Sequence, residues 1–150
     1  MTVAPTVLVT AIDAFEGFVK VDDLRRIASE VLTAEGILSA ELSVLVTDDE
    51  AIHMLNREYA RDDTSTDVLA FSLREGEEFV TPDDVQRLGE VIISYPTAAR
   101  QAEDAGHPVE DEVAHLLVHG ILHLMGYDHA EPEDERVMRD RTEALLAALG

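Results

Sequence analysis

The chain has 150 residues, 46% of them apolar, which is enough for one domain with a single sizeable core. Its formal net charge is −21, with Lys20 the only lysine beside ten arginines, and this excludes the broad basic surface that loose nucleic-acid binding relies on. There is no cysteine, so disulfides and thiolate metal ligands are excluded and histidines and carboxylates remain as the strong ligands.

The elements follow in order. Residues 6–12 (TVLVTAI) are β-branched and bounded by Pro5 and Asp13, which predicts a first strand. From Val21 to Glu35, Val21, Leu24, Ile27, Ala28, Val31 and Leu32 recur at helical spacing, and Gly36 follows as a stop. Residues 40–47 (AELSVLVT) alternate as a second strand, and Thr47 or Asp48 can cap a helix that runs to about Tyr59 with Ile52, Leu55 and Tyr59 inward. A polar loop at 60–66 leads to a third strand at 67–73. The acidic stretch 74–87 is expected as an exposed, mobile excursion, and 89–94 (GEVIIS) as a fourth strand. Tyr95 and Pro96 open a helix to about Ala105, which Gly106-His107-Pro108 ends. A long helix apolar on nearly all sides runs from Val109 to about Met125. Pro132 starts a last amphipathic helix carrying Val137, Met138, Leu145, Leu146 and Leu149.

The expected class is α+β: one domain over residues 1–150, with a mixed sheet of about four strands, about five to six helices, and a central buried metal-binding helix. No apolar run approaches the ~20 residues needed to cross a membrane. No basic segment precedes an apolar one at the start, so a cytoplasmic protein without membrane contact is expected.

The chemistry concentrates in residues 119–129, HGILHLMGYDH. His119 and His123 lie four apart, on one helix face. Gly126 can end the helix and swing His129 back towards them. Three imidazoles converging in this way leave a fourth position for water, the design of a catalytic zinc site rather than a closed structural one. The spacing also matches the metzincin peptidases, whose general-base Glu follows the first His; here that position is Gly120.

The segment EVAHLLVHGILHLMGYDH (112–129) resembles the signature of the YbeY family of bacterial rRNA-maturation endoribonucleases. Two upstream blocks agree. LNREYARDDTSTDVLAFS (55–72) is similar to the family's LNREYR-x-x-D-x-PTDVLSF segment, and LGEVIIS (88–94) to its GDIVIS strand. The resemblance spans about Val44 to Leu146. It implies a zinc-dependent, single-strand-specific endoribonuclease acting in 16S rRNA 3′-end maturation and ribosome quality control. It implies one zinc, or another divalent transition metal, on His119, His123 and His129. The implied partners are rRNA and the small ribosomal subunit, with a ribosomal protein or a ribosome-assembly GTPase beside them. The family's functional arginine after LNREY falls on Ala60 here, a departure from the pattern; Arg61, one place on, is expected to take over the phosphate-holding role, the alternatives being Arg57 or reduced or lost activity. The family proline before TDVL is Ser65.

Zinc on three histidines lowers the pKa of bound water from about 15.7 to roughly 7 and polarises a phosphoryl oxygen, while an arginine can hold the phosphate bidentately. The base is the metal hydroxide, another side chain or the RNA 2′-OH. Asp128 can orient a ligand imidazole through its N–H, or hydrogen-bond within the turn. His115 falls on the same stripe as His119 and reads as a hydrogen-bonded core histidine or a cleft residue; Thr66 and Asp67 read as turn residues or substrate contacts; Tyr127 packs by the site or stacks on a base. Glu112 and Asp111 suit the first turn of their helix, and His53 and His107 the surface. The competing readings are another metallohydrolase, such as a peptidase, and a non-catalytic ribosome-associated factor with structural zinc.

Overall fold

The computed structural model describes residues 6–37, 40–60, 66–72, 86–125 and 132–149. Among these are four strands and five helices: β1 (Thr6–Ala11), α1 (Val21–Ala34), β2 (Ala40–Thr47), α2 (Asp49–Leu55), β3 (Val68–Ser72), β4 (Gln86–Ser94), α3 (Tyr95–Ala105), α4 (Val109–Leu124) and α5 (Pro132–Leu149). A 3-10 turn occupies Asp13–Phe15, and a π-helical segment, Asn56–Ala60, continues α2. The class is the expected α+β with one mixed sheet.

The strand order is β1-β2-β4-β3, with β1, β2 and β4 parallel and β3 antiparallel to β4. The row Val9–Val44–Val91–Ala70 crosses all four strands. Burial follows position in the sheet. Edge strand β1 alternates, with Val7 and Val9 buried and Leu8 61% exposed, whereas in β4 Val91, Ile92, Ile93 and Ser94 are buried in succession. An unbroken apolar run marks a strand covered on both faces. β4 also begins three residues earlier than expected, and its pairing with β2 shifts register between Glu41 and Leu42 so that Leu88 is the extra, fully buried residue.

Two helix starts use side-chain caps. Asp48 accepts from the Ala51 N–H (2.8 Å), and Ser94 from the Thr97 N–H (3.3 Å) just ahead of Pro96. Gly106, at φ 77°, closes α3 in the left-handed conformation, its N–H and that of His107 both donating to the Ala102 carbonyl.

α4 is the central helix. It touches α1, α3, α5, β3 and β4, and buries Val113, Leu116, Leu117, Val118, Ile121, Leu122 and Leu124. Burying a side chain of this size contributes roughly 1.5–3 kcal/mol, so α4 is held along its whole length.

Two expectations need correction. Val137 does not face inward: it is 49% exposed, while Met138, Thr142 and Leu145 form the buried stripe of α5. Val137 precedes Met138 by one residue and so points about 100° away from it, off the edge of the stripe. His53 and His107 are half-buried rather than superficial, and the His107 Nε2 lies 3.1 Å from Glu112. The expected excursion falls largely outside the described residues, at 73–85.

Candidate metal centre

The site begins with the way α4 lies on the sheet. A Cβ at Gly120 would stand 2.7 Å from Val91 Cγ1 and 3.3 Å from both Val91 Cγ2 and Val68 Cγ2. Glycine therefore lets the helix backbone settle against β4 and β3 where any other residue would hold it off. This supplies a physical reason for the missing peptidase base: position 120 faces the packed sheet, with no room for a glutamate.

Orientation of the histidines follows. Between Val113 and Leu124 eight residues are buried, and only Ala114, His115, His119 and His123 are not. The histidines recur every four residues, so they form one stripe, the only polar one on the inner length of the helix. His115 and His119 are half-buried and His123 is exposed. Exposure thus rises only at the last member of the stripe, in the final turn of the helix. The last turn closes with the Met125 N–H on the Ile121 and Leu122 carbonyls.

Two imidazoles one turn apart on a helix packed on several sides present nitrogen donors of the type zinc takes, held to a narrow range of positions. The structure places His119 and His123 together in this way. Among the described residues no three His, Asp or Glu side chains are grouped to hold an ion. His129, Asp128, Gly126, Tyr127 and Arg61 lie outside the described residues. Arg57 is exposed on the π-helical segment that follows α2, directly after the buried Asn56. A π turn inserts an extra residue per turn and re-aims the side chains it carries.

Thr66 and Asp67 resolve towards the turn reading. The Asp67 carboxylate accepts from the Thr66 hydroxyl (3.4 Å) and from Gln101 Nε2 (3.3 Å), and its carbonyl accepts from the Ser94 N–H (2.9 Å). These bonds tie the start of β3 to β4 and α3.

One cluster was absent from the sequence reading. The Asp49 carboxylate accepts from the Ser94 hydroxyl (2.5 Å), the Thr97 hydroxyl (2.6 Å) and Arg100 Nη2 (2.9 Å). It clasps the first turn of α2 to the first turn of α3, just beyond the C-terminal ends of β2 and β4. Burial works to raise the Asp49 pKa, but the hydrogen bonds from Ser94, Thr97 and Arg100 and the Arg100 charge prevail and leave it below the ordinary value. Ser94 ahead of Tyr95-Pro96 is a recognisable cap signal, but nothing local pairs it with Asp49. No helix among the described residues is long and apolar enough to cross a membrane.

The profile of the family described as Endoribonuclease YbeY matches residues 13–150. A protein of Pelotomaculum thermopropionicum named Endoribonuclease YbeY is 45% identical over 140 residues, covering 89% of this chain and 92% of its own. A protein of the same name from Aquifex aeolicus is 44% identical over 132 residues, covering 87% of this chain and 85% of its own. The solution structure of a Thermotoga maritima protein matches with a TM-score of 0.61 at 22% identity, over 96% of this chain and 91% of the other, which is a likeness of fold.

Proposed function

Because the chain belongs to the endoribonuclease YbeY family, we propose that it is a metal-dependent, single-strand-specific endoribonuclease of the cytoplasm, acting in 16S rRNA 3′-end maturation and ribosome quality control. The observation that carries the reading is the histidine stripe of α4, set on a helix whose remaining inner surface is buried. His119 and His123 hold the metal with His129, zinc being the ion that an all-imidazole set favours. When bound, the metal supplies Lewis-acid polarisation and a water acidified towards neutral pH. Arg61, or Arg57 in its place, clamps a phosphate through its guanidinium, and Asp128 orients a ligand imidazole. Gly120 speaks against the peptidase alternative, since the packing of Val91 leaves no space for a base at that position.

A net charge of −21 opposes free association with RNA, so the substrate is met on the small ribosomal subunit, where a ribosomal protein or an assembly GTPase helps to dock the enzyme. The test is cleavage of a labelled single-stranded RNA by zinc-loaded protein, with metal content measured in parallel. His119→Ala and His123→Ala are expected to lose bound zinc and cleavage together. Arg61→Ala is expected to keep zinc and lose cleavage by about 10²-fold or more, the scale of removing one donor to a developing charge. Equal cleavage by wild type and His119→Ala would refute the catalytic reading. Full activity of Arg61→Ala beside an inactive Arg57→Ala would transfer the phosphate role to Arg57.

A further inference from the structure

A pocket of about 230 Å³ opens between the start of α1 and the start of α4, at the other end of α4 from His123. Its walls are Phe18, Leu24, Ile27, Tyr95, Val113 and Ala114. Phe18 is 67% exposed. Its ring centroid lies 6.2 Å from that of Tyr95, which itself stacks on Phe15 at 4.9 Å. The aromatic wall is therefore braced from behind while its outer ring stays open to solvent. The volume falls below the ~300–1,000 Å³ of cofactor and drug-sized sites, and suits one inserted side chain.

The rim decides what that side chain belongs to. Lys20, Asp23, Arg26, Glu110 and Asp111 line it. Two cations, Lys20 and Arg26, stand among three carboxylates, and Arg26 is shared with Glu30 at 3.3 Å on the outer face of α1. A nucleotide seated here would bring its phosphate to a carboxylate-rich rim on a chain of charge −21. A cationic segment would instead meet complementary charge at close range, and attraction from the whole molecule at long range.

We propose that this pocket docks a basic protein segment, burying one apolar or aromatic side chain against Phe18, Tyr95 and α4 while flanking lysines or arginines lie against Asp23, Glu110 and Asp111. The anchor supplies the desolvated contact from which interface affinity mostly comes, and the rim supplies orientation and rate. An arginine of the segment can also lie over the open face of Phe18. Nothing in this proposal requires the endoribonuclease activity.

The probe is a fluorescent octapeptide of arginine and lysine with a central leucine–phenylalanine pair, titrated into the full chain and followed by anisotropy. Backbone amide shifts map the contact. Expected are shifts centred on Phe18, Ile27, Tyr95 and Ala114, and an affinity that weakens at least about tenfold when the central pair becomes alanine. Phe18→Ala, at an exposed position, and Ala114→Trp, which fills the pocket, should each weaken binding at least about tenfold with the circular dichroism spectrum unchanged. Glu110→Lys should weaken it further at low salt than at high salt. The proposal is overturned if the alanine peptide binds equally well, if the shifts map elsewhere, or if oligouridylate binds the pocket in a Phe18-dependent manner.

Discussion

Gly120→Ala adds one methyl group where α4 meets the sheet, and its cost can be worked from the contacts. The new carbon would stand 2.7 Å from Val91 Cγ1, against the 3.5–4.0 Å of an ordinary carbon–carbon contact. Helix or strand must then give by most of an ångström. Val91 is fully buried and β-branched, so its χ1 is restricted, and both of its Cγ atoms lie within 3.3 Å of the new carbon. Overpacking of this kind costs about 1–3 kcal/mol, and the severity of the overlap points to the upper end. Against it stands the gain of about 1 kcal/mol for alanine over glycine in a helix. The net expectation is destabilisation by about 2 kcal/mol, or a fall in Tm of about 4–8 °C for a chain of this size. The assay is urea unfolding followed by circular dichroism, run as a double-mutant cycle with Val91→Ala. Removing both Val91 Cγ atoms clears the severe overlap and leaves only the 3.3 Å approach to Val68 Cγ2, so alanine at 120 should turn nearly neutral there, with a coupling of about 2 kcal/mol between the sites. Additive effects, or a stabilising Gly120→Ala in the wild-type background, would refute the packing account of this glycine.

Asp49 gives a pH prediction. Its pKa is lowered on folding, so the stability it contributes is present above the unfolded value of about 3.9 and is lost as pH falls through the lower folded value. Asp49→Asn should cost roughly 1 kcal/mol at neutral pH, the side chain being one-third exposed, and should flatten the fall in stability below about pH 4 in acid titrations of the urea midpoint; an unchanged acid limb would count against the clasp. In α5, Met138→Ala should cost about 2–5 kcal/mol and Val137→Lys less than about 0.5 kcal/mol in the same urea assay, and the reverse order would put the wrong face on the core.

These predictions separate what was legible in the sequence from what was not. The strands were readable because the β-branched run of β1, the alternation in β2 and the unbroken apolar run of β4 are local features of the chain. Pro96 and Gly106 marked the ends of α3 because their backbone requirements are local too. The face of α5 was misread at Val137, since neighbouring apolar residues compete for a stripe that only packing assigns. The packed stripe is Met138, Thr142 and Leu145, with the Thr142 hydroxyl satisfied by the Met138 carbonyl at 2.8 Å and Arg141 bonded to Glu35 at the end of α1. The Asp49 clasp was invisible because its partners lie 45 to 51 residues away, and no local pattern records such a pairing. The π turn at Asn56–Ala60 was read as plain helix because apolar spacing does not register one inserted residue.

Gly120 joins the two halves of the site. A helix apolar on nearly all sides has few polar side chains to fix its rotation on the sheet. The single close approach at Gly120 removes that freedom, because only one rotation brings the bare backbone over Val91. With rotation fixed, the stripe of His115, His119 and His123, whose middle member lies about 100° round the helix from Gly120, has one direction in which to point. The glycine that denies this helix a peptidase's glutamate is therefore also what aims its imidazoles. If the proposed zinc site is right, Gly120→Ala should weaken zinc binding as well as folding, although position 120 bears no ligand. Calorimetric titration with zinc at a temperature where the variant remains folded checks this: an unchanged affinity would mean that the aim of the histidines is set elsewhere.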